Sequence, residues 1–446
     1  MTNFPDDFLW GISTSAYQIE GATTAGGKGE SIWDRFVTRE GAIVDGSSGA
    51  VATDHFHRYA EDVALMRQLG ARVYRFSVSW PRWLPEGRGP HSWAGLEFYD
   101  RLVDTLLAAG IEPWVCLYHW DLPQALQERG GWVWRDTADY FADYAERVAR
   151  HLGDRVRTFL MLNEPNVHAL LGHLAGMHAP GVSDLGAYLA AVHHQNVAVG
   201  AGIARLRDLD AGLRLGTVVS LQPTLPAGPG EADPREEDVA AAALADAAYN
   251  RASLDPLLLG SYPEPIEGFM GNLVRAGDAE LMRQRVDVLG VNHYTLQRVR
   301  AGDGLLGMEI VPPEAGVEET QMGWRVAPAA LEQTLLRLKD EYGNPPVVVT
   351  ENGAAYPDSQ GPDGKVHDRA RIRYLARYLR AVAAARDAGC DVRGYLAWTL
   401  VDNFEWVDGY TRKFGIVALD RETMRRTPKA SFDYLRRVFA GGDLSL

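Results

Sequence analysis

The chain has only two cysteines, Cys116 and Cys390, in 446 residues. Two thiols build no disulfide framework and fall short of a four-ligand zinc set. Cys116 lies inside an apolar run and reads as a packed thiol, and Cys390 follows a glycine at a predicted helix end. Positive charge is also scarce: Lys plus Arg number 45 against 59 Asp plus Glu, a formal net charge of −14. That balance excludes a nucleic-acid partner, whose phosphates need a basic face, and weighs against anionic substrates. No apolar run approaches the roughly 20 residues of a membrane span, so no membrane association is expected. Residues 1–7 lack a basic stretch followed by an apolar core. No signal peptide is therefore expected, and the cytoplasm is the expected compartment. Internal repeats and linker-like stretches are missing as well.

What the chain does have is alternation. Apolar runs of strand length recur at residues 8–13, 72–80, 113–120, 157–162, 215–221, 288–294, 347–350 and 392–400. Stretches with helical spacing of apolar residues lie between them, at 55–69, 96–109, 138–152, 185–206, 331–342 and 369–388. Gly70, Gly110 and Gly153 stand where the first three of these should stop. An alanine-rich helix follows the fifth strand. Strands alternating with helices predict parallel pairing with right-handed crossovers, and eight strands close a barrel. The expected fold class is α/β, a single (β/α)8 TIM barrel with long βα loops, and residues 1–446 read as one domain.

In such a barrel all strand C-termini share one face, where active sites sit. Here the apolar strands end in polar or aromatic residues: Gln18, His119-Trp120, Asn163-Glu164, Asn292 with Tyr294, Glu351, and Trp398. A lone strand-end glutamate usually just solvates its loop. Glu164 and Glu351 instead project into the same mouth. Facing carboxylates without a metal cluster fit glycosidic bond cleavage, one as proton donor and the other as nucleophile or base. Arg75, on the same face, would keep a neighbouring carboxylate ionised, and Tyr294 would donate a hydrogen bond to it. The other glutamate, desolvated and without such help, would hold its proton and serve as the acid.

Trp120, Trp324, Trp398 and Trp406 give that mouth aromatic faces to pack against a sugar ring. Trp80 and Trp114 read as core. Trp398 and Trp406 flank Asp402-Asn403-Phe404-Glu405, where a buried acid needs a partner. No metal is expected: His55 and His57, and His193-His194, do not share a helix face. Gly26-Gly27-Lys28-Gly29 lacks the spacing of a phosphate loop.

The residues match a known family. The chain resembles glycoside hydrolase family 1, the β-glucosidase family, over nearly its whole length. The resemblance rests on six stretches in the family's order. Phe8-Leu9-Trp10-Gly11 through Tyr17-Gln18-Ile19-Glu20-Gly21 comes first, then Tyr74-Arg75-Phe76-Ser77 and Tyr118-His119-Trp120-Asp121-Leu122-Pro123. Asn163-Glu164-Pro165, Thr350-Glu351-Asn352-Gly353 and Asp402-Asn403-Phe404-Glu405-Trp406 complete the set.

The resemblance implies a retaining, double-displacement β-glucosidase acting on a small-molecule β-glycoside, with related fucosides and galactosides as further substrates, and no cofactor. It implies Glu351 as nucleophile and Glu164 as acid/base, with Arg75 and Tyr294 orienting and ionising Glu351. Gln18, His119, Asn163, Glu405 and Trp406 resemble the residues that bind the hydroxyls of the cleaved sugar. Trp120 and Asn292 share that mouth, Trp398 resembles the stacking floor and Trp324 a wall on the aglycone side.

Two departures stand out. His293 replaces a tyrosine, and by strand alternation it should point away from the side of Tyr294. Lys413 precedes Phe414 where the family has arginine; Phe414 is kept. Glu405-Trp406 argues against 6-phosphorylated substrates, and Glu164 against a thioglucosidase. A transglycosylase using the same two glutamates, or a non-catalytic sugar-binding protein on the same barrel, are the alternatives. The loop at 301–322 and the segment at 228–238 are expected to shape the aglycone entrance. Oligomeric state is not legible.

Overall fold

Eight parallel strands close on themselves in a computed structural model that describes residues 4–228 and 233–446. They are β1 (Leu9–Ser13), β2 (Val73–Ser77), β3 (Glu112–Tyr118), β4 (Thr158–Asn163), β5 (Arg214–Ser220), β6 (Val288–Asn292), β7 (Val347–Asn352) and β8 (Val392–Trp398). Each pairs with its neighbours in chain order, and β1 pairs with β8 over five residues, Leu9 with Gly394 through Ser13 with Trp398. The expected eight-stranded α/β barrel is therefore present.

Sequence dictates how this barrel fills. Strands buried on both faces must be apolar throughout. One face of every strand feeds a central plug: Val73, Trp114, Cys116, Leu160, Val218, Val288, Val348 and Leu396 pack together with Leu9. The opposite faces meet the surrounding helices in a much larger cluster. Trp80 belongs there, stacked on Tyr144 with ring centroids 4.9 Å apart. Cys116 and Cys390 are both buried and unbridged.

The main connecting helices are His55–Leu69, Trp93–Ala108, Asp136–Leu152, Leu185–Leu209, Glu236–Asp246, Pro328–Glu341 and Arg369–Asp387. His55 and His193 sit on two of them and pair with carboxylates, Asp62 at 2.7 Å and Asp278 at 2.9 Å. No helix among the described residues is long and apolar enough to cross a membrane. A small three-stranded sheet, Thr224–Pro226, Gln297–Ala301 and Met308–Ile310, lies within the long connections after β5 and β6.

Several observed strands stop short of the ends of their apolar runs. Pairing on β3 stops at Tyr118 and on β6 at Asn292, so Trp120 and Tyr294 lie just beyond the strands. Gln18 is on a one-turn helix, Ala16–Ile19, rather than in an extended segment.

Candidate active site

The strand ends at the C-terminal face surround a cavity of about 610 Å³. That is the size of a small-ligand site. Glu164 follows the last residue of β4 with φ at +48°, and Pro165 then starts a helix. Its side chain is thereby turned over the barrel instead of continuing the strand. Glu351 belongs to β7 and is 3% exposed. The next glycine is required by space. A Cβ on Gly353 would lie 1.8 Å from the Trp398 carbonyl oxygen.

A continuous hydrogen-bond chain ties the two carboxyls together. Arg75 Nη1 donates to Glu351 Oε1 at 2.6 Å, and the Tyr294 hydroxyl donates to Glu351 Oε2 at 2.8 Å. Arg75 Nη2 donates to Asn163 Oδ1 at 2.5 Å. The Asn292 amide donates to that same oxygen at 3.1 Å and to Glu164 Oε1 at 2.8 Å. Thr350 fixes the flip of Asn292 by donating to its Oδ1 at 2.8 Å. Asn163 Nδ2 donates in turn to His119 Nε2 at 3.0 Å, and burial keeps that imidazole neutral by pushing its pKa well below the usual value.

Burial raises both glutamates. Glu164 is pushed up to about 8 by burial and by the negative charge of Glu351. At Glu351 the guanidinium of Arg75 and the phenol of Tyr294 act against burial by favouring the anion. The guanidinium and the phenol bias the pair toward an ionised Glu351 and a protonated Glu164.

Far along the chain a second group closes the pocket. Gln18 Nε2 donates to Phe404 O at 2.9 Å and to Glu405 Oε2 at 3.3 Å, while Ser15 holds Gln18 Oε1 at 2.6 Å. Glu405 is pushed up to about 8 by burial and by the acids around it. The aromatic wall is continuous. Trp120 lies 4.7 Å and His119 5.9 Å from Trp406, and His119 is roughly parallel to Trp398 at 6.1 Å. Trp120 Nε1 donates to the Asn163 carbonyl at 2.9 Å. On the other side Trp398 and Phe414 pack with Tyr294 and Trp324.

All fourteen sequence-derived site residues converge here. His119, Trp120, Glu164, Tyr294, Trp324, Glu351, Trp398, Glu405, Trp406 and Phe414 line the cavity. Gln18, Arg75, Asn163 and Asn292 stand against these residues through the bonds above. His293 points elsewhere, with Nδ1 against Leu221 O at 2.8 Å. Of the two segments expected at the entrance, 301–322 supplies Ile310, Val311, Pro312, Pro313 and Met322. In 228–238, residues 229–232 lie outside the described residues, and the others do not line the cavity.

Sequence reasoning missed Ser220, Gln222, Tyr249 and His178 on the wall. Ser220 ends β5 and carried the same strand-end signal as the others. Tyr249 lies on a π-helical turn, Ala247–Arg251, and His178 in a loop, and neither carried such a signal.

A sequence profile of Glycosyl hydrolase family 1 matches residues 1–442. The chain belongs to glycosyl hydrolase family 1. Its family-1 relatives include a thermostable beta-glucosidase B of Thermobispora bispora, 48% identical over 98% of this chain and 90% of that protein. A bifunctional beta-D-glucosidase/beta-D-fucosidase of Bifidobacterium breve is 42% identical over 98% of each. The solved family 1 β-glucosidase of Thermotoga maritima superposes with a TM-score of 0.94 at 39% identity, covering 100% of both chains.

Proposed function

We propose that the protein is a retaining β-glucosidase that releases terminal non-reducing β-D-glucosyl residues, with β-fucosides and β-galactosides as further substrates. The observation that carries this is the placement of Glu351 between Arg75 and Tyr294, with protonated Glu164 on the same cavity wall. The named activities of the relatives, including the glucosidase/fucosidase, support the substrate class.

In the first step a Glu351 oxygen attacks the anomeric carbon as the bond to the leaving oxygen breaks, and the Glu164 proton moves to that oxygen. In the second, Glu164, now a carboxylate, takes a proton from water while the water oxygen displaces Glu351. Two inversions give net retention. Retaining pairs stand roughly 5–5.5 Å apart. Asn163 is assigned to the sugar 2-hydroxyl, and Gln18, His119, Glu405 and Trp406 to the others, with Trp120 and Asn292 holding those groups. Trp398 is the floor under the ring; Trp324 and Phe414 wall the side beyond it.

A 6-phosphate would meet acids here. Arg325 is the one Arg or Lys side chain on the lining among the described residues, and it is bonded to the carbonyls of Val311 and Pro312. The whole chain is read as one catalytic domain acting in the cytoplasm.

The test is hydrolysis of aryl β-D-glucoside, β-D-galactoside and 6-phospho-β-D-glucoside by wild type, Glu351→Gln and Glu164→Ala. Turnover of the free glucoside, collapse in both variants and azide rescue of Glu164→Ala to a β-configured product are expected. Preferred turnover of the phosphorylated substrate, or undiminished Glu351→Gln, would overturn the reading.

A further inference from the structure

The cavity changes chemistry along its depth. Its floor, at the strand ends, carries three carboxyls, an imidazole and indoles. Its outer walls come from two segments well beyond those strand ends. One follows β4 and supplies Leu170, Leu171 and Met177; the other is a strap formed by strands Gln297–Ala301 and Met308–Ile310 and the residues just after them, which supplies Ile310 and Pro312. Met177 is 59% exposed and Ile310 64%. A scattered exposed apolar side chain needs no explanation, but a cluster around a cavity mouth marks a ligand surface.

The walls are held in place before any ligand arrives. Val299 and Ile310 face each other in the antiparallel pair of the strap. Arg300 and Glu309 bond across the same hairpin at 2.9 Å, and Arg325 Nη2 holds the Val311 and Pro312 carbonyls at 3.1 and 2.7 Å. On the other wall the Ala175 amide bonds to Leu170 O at 2.9 Å and the His178 amide to Leu171 O at 3.1 Å.

The polar groups between floor and mouth are mostly engaged. Ser220 and Tyr249 bond each other at 2.9 Å, Thr295 donates to Arg325 O at 3.1 Å, and Asp408 faces Arg412 at 3.3 Å. Gln222, whose buried Nε2 has no partner, Gln297 and the His178 ring remain for a ligand. A second sugar buried there would bring several hydroxyls to walls of leucine, methionine, isoleucine and proline. Hydroxyls desolvated without partners cost binding.

We propose that the outer half of the cavity selects a β-glucoside with an apolar aglycone, an alkyl or aryl group carrying at most one or two hydrogen-bonding atoms, over one whose aglycone is another sugar. This rests on the β-glucosidase reading and names the substrate class of that site. Met177 and Ile310 are the specificity-determining residues of the two walls.

The test is kcat/KM for methyl, ethyl, butyl and hexyl β-D-glucosides and for cellobiose, in wild type and in the Met177→Asn/Ile310→Asn double variant. Both positions are exposed, so the variant should keep its fold. Each added methylene buried against the walls should raise kcat/KM about two- to fourfold in wild type. Hexyl should then exceed ethyl by about tenfold or more and exceed cellobiose too. In the double variant the slope should flatten.

A chain-length series with no slope, cellobiose preferred over hexyl, or a slope unchanged in the double variant would overturn the proposal. Calorimetric binding of methyl and hexyl 1-thio-β-D-glucosides separates this question from catalysis. If no glycoside turns over, the β-glucosidase reading falls. A tighter hexyl thioglucoside in wild type alone still upholds the apolar walls, and equal binding of the two rejects them.

Discussion

At the scale of single residues, Arg75 does two things with one guanidinium. It faces the carboxylate of Glu351 and anchors the amide of Asn163, with no exposure to solvent. Arg75→Met should cost about 3–5 kcal/mol of stability, because it leaves a buried carboxylate without its cation. It should also raise the pKa of Glu351 and move the acidic limb of the pH–rate profile upward. Urea denaturation and kcat/KM against pH check both; an unmoved limb would mean that Arg75 does not set this ionisation.

The basic limb is expected to follow Glu164. As pH rises through about 8 its proton is lost, and with it the donor for the leaving oxygen, so kcat/KM falls. Glu405 titrates in the same region, so the limb needs an owner. Glu164→Gln should lose about 10²–10⁴-fold on an alkyl glucoside and much less on a dinitrophenyl glucoside, whose leaving group needs no proton. With that activated substrate the variant should show no basic limb. A limb that persists would assign it to Glu405.

At the scale of elements, Asn352-Gly353 after Glu351 shows how closely β7 and β8 approach. Gly353→Ala would push a methyl into the Trp398 carbonyl and displace both β7, which carries Glu351, and the Trp398 indole. About 1–3 kcal/mol of stability should be lost, with a fall in kcat/KM. Unchanged values of both would show that the two strands have room to part.

This closeness was legible only as a motif. The barrel strands were readable because each is apolar on both faces and ends in chemistry that packing does not need. Their ends were less readable. Apolar character runs on to Tyr294 and through Trp120, but pairing stops earlier, and Trp120 turns at a φ of +74°. The short strands Thr224–Pro226, Gln297–Ala301 and Met308–Ile310 were invisible. Three to five residues carry too little periodicity, and what holds them is pairing across a hairpin and between distant segments. Most site residues at strand ends were found, Ser220 being missed, while Tyr249, on a π-helical turn, and His178, in a loop, were not.

At the scale of the whole molecule, the cavity is lined by residues spread from His119 to Phe414, with Gln18, just after β1, and Arg75, on β2, bonded to that lining. Ligand binding should therefore stabilise the fold as a unit. For Glu351→Gln, which should not turn substrate over, a β-glucoside at about 100 times its Kd should add about 2.7 kcal/mol. A single calorimetric transition should move up by a few degrees. If only one of two transitions moves, the chain is not one domain.

The pairing of β1 with β8, and of Gln18 with Glu405, also bears on the life of the chain before it is finished. These two residues are 387 positions apart. At roughly 5–20 residues per second of synthesis, Gln18 waits between about 20 and 80 seconds for its partner to be made. Until then β1 and β7 are both open edges, and the pocket has no far wall. Sealing the sheet and acquiring the sugar site are one event, so a ribosome-bound chain stalled before β8 should be both inactive and prone to pair with the wrong strand.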